Sequence, residues 1–85
     1  MYRLVIVEDE IVTRQGMERY FDWKRYGFEV VNAFPDGMEA LAWIKNNACD
    51  VVITDIMMSR LDGLELAARL RQTRPEIKLI ILSGY

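Results

Sequence analysis

"DVVITDIMMSRLDG", residues 50–63, decides the fold. Val51, Val52, Ile53, Thr54 and Ile56 suit a strand covered on both faces. Asp55 places a carboxylate where that apolar run stops being regular. A buried strand has no need of an acid there, and an unpaired buried charge is costly. Asp62-Gly63 then breaks the pattern and leads into a helical stretch.

Three further runs are short, apolar and without helical periodicity: residues 4–7, 28–33 and 79–82, beside 51–56. Between them lie stretches of helical length. Residues 37–47 set Gly37, Ala40, Leu41, Ile44 and Ala48 on one face, and residues 63–73 do the same with Gly63, Leu66, Ala67 and Leu70. A first helix over about residues 10–22 presents Met17, Tyr20 and Phe21. Gly16 interrupts it at a cost of about 0.5–1 kcal/mol. Tyr26-Gly27, Pro35-Asp36-Gly37 and Arg74-Pro75 punctuate the rest. The order β-α-β-α-β-α-β implies right-handed crossovers and a parallel, doubly wound sheet. The chain stops at Ser83-Gly84-Tyr85, just past the fourth strand. That predicts a truncation, with 79–82 either an exposed edge or covered by something outside this sequence.

Eighty-five residues make one small domain with a thin core margin. The net charge of −2 and pI near 5.0 give no pointer to nucleic acid or an anionic membrane. No apolar run approaches the roughly 18 residues of a membrane span. A single cysteine, Cys49, excludes an internal disulfide and fits a reducing cytosol. The absence of histidine excludes histidine metal sites, Ser-His and Cys-His nucleophiles, and phosphohistidine chemistry in this chain.

In doubly wound sheets, ligands bind beyond the carboxyl ends of the strands, at the switch point of strand order. Strand one ends in Glu8-Asp9-Glu10, strand three in Asp55 and strand four in Ser83. In an order 2-1-3-4, Glu8, Asp9 and Asp55 share one pocket. Carboxylates so close resist joint ionisation, and a hard divalent cation such as Mg²⁺ resolves this. An Asp carboxylate can also attack phosphorus and form an aspartyl phosphate. No glycine follows strand one in Glu10-Ile11-Val12-Thr13, which argues against a nucleotide loop. Blander readings stand beside this one. Asp9 or Glu10 can cap the first helix, and Asp62 and Asp36 serve as turn or cap residues. Cys49, Met57 and Met58 read as packing side chains, and Tyr20, Phe21 and Trp23 as core and helix-end packing.

"LVIVEDE" (4–10), "FPDGMEAL" (34–41), "DVVITDIMMSRLDGLEL" (50–66) and "KLIILSGY" (78–85) together resemble the receiver domains of two-component response regulators. "FDWKRYGFEVV" and "LSGY" further resemble the subgroup carrying an arabinose-regulator-type helix-turn-helix output domain. The resemblance implies a flavodoxin-like α/β sheet of order 2-1-3-4, here lacking the last helix-strand-helix, over residues 1–85. It implies Asp55 as phosphoacceptor and Glu8 and Asp9 as the acidic pair for Mg²⁺. The Met57 backbone carbonyl would complete the metal shell, and Ser83 would be the hydroxyl that senses the phosphoryl group. The implied partner is a sensor histidine kinase, and the implied location of this domain is the cytoplasm. DNA would be reached only through an output domain beyond this chain, and no membrane is involved. Such a domain catalyses its own phosphorylation and dephosphorylation without being a conventional enzyme.

Two departures stand out. Ser59 occupies a position where the family usually has proline, which removes a φ restraint. The family's phosphate-binding lysine ends a fifth strand, which these 85 residues do not reach. Lys78 is at the wrong end of strand four, and Lys45 is on helix two. Impaired phosphorylation of the isolated 85 residues is therefore expected. The alternative expectation is a structural fragment that forms a homodimer or domain-swapped oligomer through its fourth strand. An aspartyl-nucleophile hydrolase is disfavoured, because position 57 is Met57 and not a second aspartate.

Overall fold

The structure, a computed structural model, describes residues 1–56 and 61–82. The expectations placed on Met57, Met58, Ser59 and Ser83 lie outside those residues. In chain order the elements are β1 (Tyr2–Val7), α1 (Ile11–Arg19), a 3-10 turn (Trp23–Tyr26), β2 (Phe28–Phe34), α2 (Gly37–Ile44), β3 (Val51–Asp55), α3 (Gly63–Thr73) and β4 (Lys78–Leu82). The four strands form one parallel sheet in the order β2-β1-β3-β4, the doubly wound arrangement the sequence implies.

β1 is central, and Leu4, Val5, Ile6 and Val7 are buried on both of its faces. Alternation splits them between two cores. Val5 and Val7 join Val52, Ala40, Ile44, Leu66 and Leu70 beneath α2 and α3. Leu4 and Ile6 join Val51 and Ile53, with Met17 and Trp23 packed against them on the α1 side. This is why 4–7 and 51–54 lack a polar alternation: each residue faces one layer or the other. Thr54, fully buried, donates its hydroxyl to the Asp55 carbonyl at 2.9 Å.

Two elements end earlier than periodicity predicts. α1 stops at Arg19 rather than continuing to residue 22. The Trp23 indole N–H donates to the Met17 carbonyl at 2.6 Å, and its ring meets Phe28 edge-on. Carrying Trp23 back under α1 requires the chain to leave the helix. Tyr20 and Phe21, expected in the core, are instead 87% and 51% exposed, and Phe21 stacks over Trp23 from outside. α2 stops at Ile44 rather than residue 47, and Ala48 is exposed. The Arg74 guanidinium donates to the Ile44 carbonyl at 2.9 Å and so satisfies one of the carbonyls a helix end leaves open. Elsewhere the cap readings hold. Asp36 accepts from Glu39 N–H and Asp62 from Glu65 N–H, both at 2.9 Å, at the starts of α2 and α3. Cys49 is a buried core thiol, and burial pushes its pKa up. No helix of the described residues is long and apolar enough to cross a membrane.

Among the described residues β4 is an edge strand of the sheet. Leu79 packs on the α2/α3 core, whereas Ile80 and Leu82 are 45% and 43% exposed. The strand expected over 79–82 is present as β4, at the edge of the sheet among the described residues.

Candidate functional site

β1 and β3 lie side by side in parallel, with Val7 opposite Thr54. Their carboxyl ends therefore deliver the residues that follow to one crevice. Carboxylate oxygens of Glu8, Asp9 and Asp55 all lie within 4.8 Å of one another there. Glu8 is buried, Asp55 half-buried and Asp9 exposed, so the cluster opens to solvent on one side.

Glu8 and Asp55 are placed by backbone hydrogen bonds. The Glu8 N–H donates to the Phe34 carbonyl at 3.0 Å, one step beyond the β1/β2 ladder. Its own carbonyl accepts from the Arg14 guanidinium at 2.8 Å, and its carboxylate accepts the Glu10 N–H at 3.0 Å. Glu10 occupies the cap position of α1 without a side-chain cap bond, and its carboxylate accepts from the Thr13 hydroxyl at 3.0 Å. Helix capping thus leaves Asp9 out. Asp55 holds one carboxylate oxygen by accepting the N–H of Ile56 at 2.7 Å, which fixes its rotamer.

Burial, with the neighbouring Asp9 and Asp55 carboxylates adding to it, raises the Glu8 pKa; the Glu10 N–H partly opposes this. Among the described residues no ion pair engages any of the three acids. The pairs Arg3–Asp50 and Arg74–Glu76 lie elsewhere. Three carboxylates, one of them buried and resisting ionisation, form a donor set of hard oxygens suited to a divalent cation. The residues present fit such an ion.

Two contacts behind the acids were not visible in the sequence. A Cβ on Gly63 would sit 2.5 Å from the Asp55 carbonyl oxygen, and the Gly63 N–H donates to the Ile56 carbonyl at 3.1 Å. A Cβ on Gly37 would collide with the Leu61 carbonyl, and Leu61 itself has φ 55°. The starts of α2 and α3 are thus seated on the segment that follows Asp55. Asp-Gly pairs read as turns; only the folded chain shows what the glycine touches.

A parallel 2-1-3-4 sheet with acids gathered beyond β1 and β3 defines a doubly wound α/β domain whose crevice gathers three carboxylates able to hold a metal ion. The chain belongs to the response regulator receiver domain family, whose pattern it matches over residues 4–85. It is 38% identical, over its whole length, to an uncharacterized response regulatory protein of Staphylococcus epidermidis, of which it spans 33%. Among solved structures it superposes with a TM-score of 0.89 on a two-component transcriptional regulator AraC from Clostridium phytofermentans, at 33% identity, covering 100% of this chain and 68% of that one. The response regulator TrrA of Thermotoga maritima, solved in complex with Mg²⁺-BeF, superposes with a TM-score of 0.85 at 33% identity, over 100% of this chain and 71% of that one. The chain thus spans about a third of the curated relative's length and about two thirds of those solved chains. It is a receiver domain of the two-component signalling class, and regulators of the AraC type are among its structural neighbours.

Proposed function

We propose that this chain accepts a phosphoryl group on Asp55 from the phosphohistidine of a sensor histidine kinase and thereby controls a transcriptional output carried by further sequence. The convergence of Glu8, Asp9 and Asp55 within 4.8 Å carries the reading. One Asp55 oxygen is held by the Ile56 N–H, which leaves the other as nucleophile. Its lone pair forms the new O–P bond while the donor's N–P bond breaks, and the histidine nitrogen leaves with that electron pair. Glu8, Asp9 and Asp55, with the backbone carbonyl of Met57, would hold Mg²⁺, which would offset carboxylate repulsion and neutralise charge on the phosphoryl oxygens. Ser83 would hydrogen-bond the phosphoryl group and report its arrival. The Mg²⁺-BeF complex of the Thermotoga regulator, at 33% identity, supports the assignment. The reading is of a cytoplasmic signalling domain that meets DNA only through an attached output domain.

For the 85 residues taken alone, residues 1–85 form a receiver without the lysine clamp of a fifth strand. Loss of one such electrostatic donor commonly lowers rates about 10²–10³-fold at other enzyme sites, so transfer to the isolated 85 residues should be slow. The direct test of the metal site is thermal. Ligand binding to the folded state raises stability with concentration. Mg²⁺ should raise the melting midpoint of the wild-type chain and leave that of Asp9→Asn nearly unchanged. Equal shifts in both would place the ion elsewhere.

The exposure of Ile80 and Leu82 on β4, the edge strand among the described residues, favours a second reading: self-association of the isolated 85 residues as a homodimer or swapped oligomer. Sedimentation of wild type and Ile80→Lys separates the cases. Mass that falls toward a monomer in the variant supports edge pairing, and a monomer in both removes it.

A further inference from the structure

A second concave surface lies away from the acids, between α2 and α3. It encloses about 440 Å³, within the range of small-molecule sites. Met38, Leu41 and Ala42 from α2, with Ile44 and Leu70 beneath, form an apolar lining. Positions 38, 41, 42 and 45 follow the i, i+3, i+4, i+7 spacing of one helix face, so the stripe runs about 10 Å along α2. Its charged lining is of a single sign: Lys45 at the end of α2, Arg69 of α3 and Arg74 just past α3 line the groove, and among the described residues no acid does. Arg74 is already committed, to Glu76 at 2.6 Å and to the Ile44 carbonyl. Lys45 and Arg69 are exposed, and no ion pair engages them among the described residues. In a chain of net charge −2, a groove lined by three cations and, among the described residues, by no acid is a specific asymmetry.

We propose that this groove binds a small apolar carboxylate, its hydrocarbon body along Met38, Leu41 and Leu70 and its anionic head between Lys45 and Arg69. The match is to a chain of about eight carbons with one charged end. The site shares no residue with the acid cluster, so it stands whether or not Asp55 is phosphorylated.

Octanoate is the probe, titrated into the isotope-labelled chain and followed by amide chemical shifts, with neutral octanamide as control. The expected result is saturable shifts confined to α2, to α3 from Arg69 to Thr73 and to Arg74. Octanamide should bind at least tenfold more weakly, and octanoate should bind Lys45→Glu/Arg69→Glu at least tenfold more weakly than wild type, with the variant's melting midpoint retained. Four results would overturn the proposal: no saturable shift, equal affinity for octanamide, unchanged affinity in the charge-reversed variant, or shifts centred on Ile80 and Leu82.

Discussion

Gly63 sits so close to Asp55 that a methyl group there would lie 2.5 Å from the carbonyl oxygen, inside any real contact. Gly16, in the middle of α1, has only the Tyr20 ring within reach, at 3.9 Å. The two glycines therefore predict opposite outcomes for the same substitution. Gly63→Ala must displace backbone and should cost about 1–3 kcal/mol in chemical denaturation. Gly16→Ala removes unfolded-state freedom without a clash and should stabilise by about 0.5–1 kcal/mol. The cost of Gly16 was readable from its place in a helical stretch, but the clash behind Gly63 was not, because only the folded chain brings it against the Asp55 carbonyl. The acids were more legible. Glu8 and Asp9 follow one apolar run and Asp55 ends another, and the topology that unites them follows from the order of elements.

At the scale of elements, the amino ends of the strands are tied by Asp50. Its N–H donates to Arg3, and its carbonyl accepts from Lys78. Its carboxylate accepts the Arg3 backbone N–H at 2.7 Å and the Arg3 side chain at 3.2 Å. One residue thus joins β1, β3 and β4. The Arg3 N–H, then the guanidinium, lowers the Asp50 pKa below 3.8. A carboxyl with a depressed folded pKa contributes stability that is present above the unfolded value and lost as pH falls through the folded one. Wild type should therefore exceed Asp50→Asn in urea midpoint at pH 6, and the gap should close as pH drops below 3.8. A gap constant with pH would assign the loss to shape rather than charge. Element types were legible from periodicity, and α3 falls on the predicted span. The ends of α1 and α2 were not, because Trp23 and Arg74 set them from outside the helices they terminate. Such long-range hydrogen bonds leave no local signature.

For the molecule as a whole, the four-stranded parallel sheet places two different surfaces on opposite kinds of ground. The crevice beyond β1 and β3 is acidic, shallow and fixed by backbone hydrogen bonds. The β4 edge is apolar and unfinished within these residues. The crevice followed from sequence because strand order converts residues 8, 9 and 55 into neighbours. The extent of exposure on β4 did not, since alternation of buried and exposed positions appears there only once α3 and β3 are in place. The central claim is that the acid cluster makes Asp55 a Mg²⁺-dependent phosphoacceptor. Incubation with acetyl phosphate followed by intact-mass analysis tests it most directly. The account predicts a slow gain of one phosphate that requires Mg²⁺ and vanishes in Asp55→Asn. A gain that persists in Asp55→Asn or proceeds equally without Mg²⁺, or no gain at all with both present, would contradict it.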